Sequence, residues 1–110
     1  MIEFTIPIQT VSGMNAREHY MARARRVKRE RESVAWWVAR RPAPATPCTV
    51  TLTRLAPSNG LDDDNLASSM KGVRDELARW IGIDDRSALV QWRYEQARSK
   101  VYGVIVRVAA

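Results

Sequence analysis

The sequence predicts an α+β domain of two layers, in which two helices cover one face of a mixed four-stranded sheet in the order strand, helix, strand, helix, strand, strand. Three observations lead there. Four segments alternate large apolar with polar residues, two longer segments repeat apolar residues every three or four positions, and 110 residues is the size of a single domain built on one core. Neither an internal repeat nor a low-complexity tract interrupts the order, so residues 1–110 are expected to form one domain.

Ile2, Phe4, Ile6 and Ile8 alternate with Glu3, Thr5 and Pro7, which puts four apolar side chains on one face of a strand. Pro7 has no N–H to give to a ladder and suits an edge position. Asn15 followed by Glu18 makes an Asn variant of the capping box and predicts a helix start. The apolar stripe of that helix runs through Tyr20, Ala24, Val27, Val34 and Val38, with Arg31 standing where the rhythm asks for another apolar residue. A helix over residues 16–40 would be about 37 Å long at about 1.5 Å per residue. That is longer than a small domain is wide, so part of it is expected to project toward a partner. Trp36 and Trp37, near its end, are expected in the core or at a subunit contact. Pro42, Pro44 and Pro47 then end the helix and stiffen the connector.

Cys48, Val50 and Leu52 alternate with threonines in a second strand, and Pro57-Ser58-Asn59-Gly60 forms a turn. Leu66, Met70, Val73, Leu77 and Ile81 predict one second helix, which Gly82 is placed to end. Val90, Trp92 and Tyr94 form a third strand, and Ala97-Arg98-Ser99-Lys100 turns the chain into a fourth through Tyr102, Val104, Val106 and Val108. The last two strands are expected to pair as a terminal hairpin.

Composition narrows the function classes. No run of about 18 apolar residues exists to span a bilayer, and the first ten residues lack the basic-then-apolar order of a secretory signal. Cys48 is the only cysteine, so no internal disulfide and no cysteine-based zinc site is expected, and its strand setting predicts a buried structural thiol. A cytoplasmic location with no membrane contact fits these features. The net charge of +6 is concentrated: residues 15–41 hold nine Lys and Arg against three Glu. Such an excess is the footprint of a protein that neutralises phosphates, although a solvated helix face can be equally basic. His19 stands alone and is read as a bystander.

Five of the six aspartates gather in Asp62-Asp63-Asp64 and Asp84-Asp85, at the two ends of the second predicted helix. One aspartate at a helix start caps free N–H groups, but three bring repulsion that a cation would relieve. In an extended segment Asp62 and Asp64 point the same way, making them the natural ligand pair for a hard ion such as Mg²⁺. Spacing alone leaves two readings open, a metal site and a capped, solvated loop.

Asp62-Asp63-Asp64-Asn65-Leu66, Lys71-Gly72-Val73-Arg74-Asp75 and Gly82-Ile83-Asp84-Asp85 occur in the order of the motif series of RusA-type Holliday junction resolvases, which the chain resembles from Asp62 to about Val90. The resemblance implies a homodimeric endodeoxyribonuclease dependent on Mg²⁺, or on Mn²⁺ in its place, that nicks four-way junctions or other branched DNA and uses no small-molecule cofactor. It implies metal-binding roles for Asp62, Asp64 and Asp85, and a catalytic role for Lys71. Lys71 stands seven residues after Asp64 where the best-known members have four, an offset that keeps one face of an unbroken helix. Arg17, Arg23, Arg25, Arg26, Lys28 and Arg29 are expected to hold DNA phosphates. The alternatives are a non-catalytic DNA-binding or regulatory phage protein with a structural acidic loop, and a protein-interaction module using the two tryptophans.

Overall fold

Even-numbered positions carry the large apolar residues in all four predicted strands, and this parity decides which face of the sheet is covered. The computed structural model describes residues 1–11 and 20–110. Its elements are β1 (Ile2–Ile6), α1 (Tyr20–Val38), β2 (Cys48–Ala56), α2 (Asp63–Ser69), α3 (Lys71–Ile81), β3 (Val90–Arg98) and β4 (Gly103–Ala109). One mixed sheet runs β1-β4-β2-β3, with β4 antiparallel to both neighbours and β2 parallel to β3. The register places Phe4, Val106, Leu52 and Tyr94 in one row and Ile2, Val108, Val50 and Trp92 in the next. These rows meet Val34 and Val38 of α1, Leu66 of α2 and Val73, Leu77 and Ile81 of α3 in a single core. The α+β architecture and the mixed four-stranded sheet are therefore those the alternation predicts. Cys48 is buried at the start of β2, as its setting predicts.

Two expectations are corrected. The terminal hairpin does not form: β4 enters between β1 and β2, while β3 lies on the far side of β2 as an edge strand. Composition accounts for the exchange. β4 carries Val104, Val106 and Val108, all buried, and takes a central place; β3 exposes Arg93, Glu95, Gln96 and Arg98, which suit an edge. The second predicted helix is two helices. Met70, fully buried, leaves helical geometry at φ −99° and ψ 4°, and its N–H goes to Ala67 and Ser68 carbonyls. The break lets α2 lie against β3 while α3 packs along α1.

Edge placement of β1 agrees with Pro7, which directly follows the strand. The predicted cap at Asn15 and Glu18, with Arg17 and His19, lies outside the described residues. At its other end α1 stops at Val38, and Arg41 closes it by donating from Nε to the Trp37 carbonyl at 3.0 Å while its guanidinium stacks on Phe4 at 4.4 Å. Arg31 interrupts the apolar stripe because α3 supplies a partner, the buried Glu76, at 3.6 Å. Gly82 ends α3 in the left-handed region at φ 86°. Trp37 packs against the core, whereas Trp36 is 73% exposed. No helix of the described residues is long and apolar enough to cross a membrane.

Candidate active site

The first acidic segment is built around a helix cap. Asp62 is extended, at φ −68° and ψ 168°, and its Oδ1 accepts from the Asn65 backbone N–H at 2.9 Å and from Asn65 Nδ2 at 2.8 Å. Asn65 is buried, so it fixes Asp62 from the protein side. Asp63 and Asp64 already belong to the first turn of α2 and are exposed. The alternation expected of an extended segment therefore does not apply to them, because the helix begins one residue after Asp62.

The loop before Asp62 is clamped to the edge strand. The Leu61 N–H donates to Gln96 Oε1 at 2.8 Å, and Gln96 Nε2 donates to the Leu61 carbonyl at 2.7 Å. Gly60 makes room for this clamp, since a Cβ there would come within 3.0 Å of the Gln96 amide.

The second acidic segment is clamped to the same strand two residues earlier. Arg74, in the first turns of α3, donates from Nη1 to the Tyr94 hydroxyl at 2.9 Å and from Nη2 to the Asp85 carbonyl at 2.6 Å, with its guanidinium 4.9 Å from the centre of the Trp92 ring. The chain after α3 thereby folds back toward that helix's beginning. Asp84 and Asp85 come to line one open depression of about 510 Å³ with Lys71, Asp75, Arg31 and Arg79. The Arg86 N–H, donating to Asp84 Oδ1 at 2.9 Å, holds the Asp84 carboxyl below the usual aspartate range, with a further contribution from the Asp85 side chain.

The predicted site residues are thus brought together in part. Lys71 and Asp85 share the depression, and Asp62 and Asp64 do not line it. Lys71 pairs with Asp75 one turn on at 3.4 Å. Because the helix breaks at Met70, an unbroken helical face does not connect Asp64 to Lys71. Among the described residues, no group of three or more His, Cys, Asp or Glu side chains is arranged to hold a metal ion. The donors at the head of α2 are nevertheless all oxygen, which fits Mg²⁺, an ion commonly held by one or two carboxylates with water and substrate phosphate completing its shell.

No protein-family model, curated protein or solved structure matches the chain.

Along α1, Arg23, Arg25, Lys28 and Arg29 are exposed, whereas Arg26 pairs with the buried Glu30 at 3.1 Å. The charge of Arg26 is answered inside the protein. Arg17 lies outside the described residues. Sequence reasoning missed Arg74, Tyr94 and Gln96, the three side chains that anchor the acidic segments. An arginine on a helix and a tyrosine and glutamine on a strand carry no local signal of such a role, because each acts across the fold.

Proposed function

We propose that this chain is a metal-dependent endodeoxyribonuclease of the RusA type that nicks four-way junctions or other branched DNA. The observation that supports this best is the common anchorage of the two acidic segments: Gln96 and Tyr94, neighbours on one face of β3, hold the Leu61–Asp62 loop and, through Arg74, the Asp85 loop. The segments that carry Asp62 and Asp85 are thus tied to neighbouring positions of one edge strand, and they follow the motif order that the resemblance describes.

Bound Mg²⁺ would supply charge neutralisation at a non-bridging phosphate oxygen and would activate a water for attack. Asp62 and Asp64 would hold it, with Asp85 approaching from the second loop. Lys71 would offer its ammonium to the departing oxygen, exchanging Asp75 for the substrate. Arg23, Arg25, Lys28 and Arg29 would hold backbone phosphates, fixing position without reading sequence. A two-fold dimer would present two such sites to the two-fold symmetry of a junction.

A non-catalytic DNA-binding protein is the alternative, favoured by the capping role of Asp62 and the Lys71–Asp75 pair. Gel assays on junction, flap and linear duplex DNA with and without Mg²⁺ separate the two. The nuclease yields nicked junction only with metal; tight, salt-sensitive binding with no metal-dependent product would establish the alternative.

A further inference from the structure

Among the described residues, one buried arginine has no counter-charge. Arg54 sits on the covered face of β2, in register with Gln96 of β3 and Val104 of β4, and is 8% exposed. Its Nε has no hydrogen-bond partner, and none of the ion pairs among the described residues includes it. A buried guanidinium nitrogen without an acceptor is costly, and an anion in the adjoining pocket would complete it. Arg54 lines a pocket of about 280 Å³ together with Ser58, Asn59, Gly60, Gln96 and Arg98. No acidic residue lines it, and a second arginine does.

We propose that this pocket is a seat for a phosphate group. The arginine fork matches two oxygens of a phosphate at once, and Arg98, Ser58 and Asn59, which also line the pocket, carry further donors. Gln96 forms the wall between this pocket and Leu61, the residue before Asp62. The group seated there is a backbone phosphate of DNA adjacent to the one engaged at Asp62 and Asp64, a statement that rests on the nuclease proposal. The presence of a phosphate seat does not rest on it.

The test follows the Arg54 Nε–Hε and Gly60 amide signals by ¹⁵N NMR in the full chain, titrated with sodium phosphate against sodium chloride at equal ionic strength, and then with an uncleaved four-way junction in Ca²⁺. Both signals shift with phosphate and with the junction, and phosphate but not chloride raises Tm. Arg54→Met, which keeps the aliphatic stem, abolishes the phosphate response and weakens junction binding about tenfold or more. Signals that respond to neither ligand overturn the seat, and an Arg54→Met protein that binds the junction like wild type overturns the DNA half. A response to inorganic phosphate alone overturns the DNA half. If both ligands shift the signals while no substrate is cut with Mg²⁺, the nuclease proposal falls and the seat stands.

Discussion

Arg74 is a single side chain on which the geometry of the second acidic loop depends, since it bridges Tyr94 and the Asp85 carbonyl. Arg74→Met retains the stem beside Trp92 and removes both hydrogen bonds. We expect a loss of about 1–3 kcal/mol in stability, read by urea denaturation, and faster amide exchange confined to residues 83–86. At Asp62 the two roles of one carboxylate can be separated. Asparagine is as good a helix cap as aspartate, so Asp62→Asn keeps the link to Asn65 and folds like wild type, whereas Asp62→Ala costs about 1 kcal/mol. On the nuclease proposal, both variants lose Mg²⁺-dependent nicking. Equal stability of the alanine and asparagine variants would contradict the capping role.

The elements differ in how far they could be read in advance. Strand positions were legible because the alternation at Ile2, Phe4 and Ile6, and at Val104, Val106 and Val108, reports directly which side is buried. Strand order was not, since the pairing of β3 with β2 depends on which strand is apolar enough to be central, a comparison between segments. The break at Met70 was hidden for a related reason: Leu66, Met70 and Val73 keep helical spacing through it, and all three enter the core on both sides of the break. The acidic segments were legible as clusters of like charge, but their supports Arg74, Tyr94 and Gln96 were not, because those contacts span from 11 to 35 positions of sequence. The end of α3 offers a check on element boundaries. Gly82→Ala forces a side chain into the left-handed region and is expected to cost about 1 kcal/mol, measured as a lower urea midpoint with unchanged slope.

For the molecule as a whole, charge and burial set the response to solution conditions. Burial pushes the Cys48 thiol above its ordinary value, so the folded chain holds that proton more firmly than the unfolded one. The resulting stability is complete below the ordinary thiol value and is lost as pH rises through the folded one. A urea series at rising alkaline pH should show this decline, and Cys48→Ala should lack that component. Junction affinity should fall steeply with salt, and replacing Arg25, Lys28 and Arg29 should flatten the log–log slope by about 0.9 for each phosphate contact removed. On the proposed function, aspartates at the head of α2 carry metal-dependent chemistry. This role is tested most directly by single-turnover cleavage of a four-way junction by Asp64→Asn beside wild type, with binding measured in Ca²⁺. Nicking abolished with binding retained is the expected result; undiminished nicking by Asp64→Asn would contradict it.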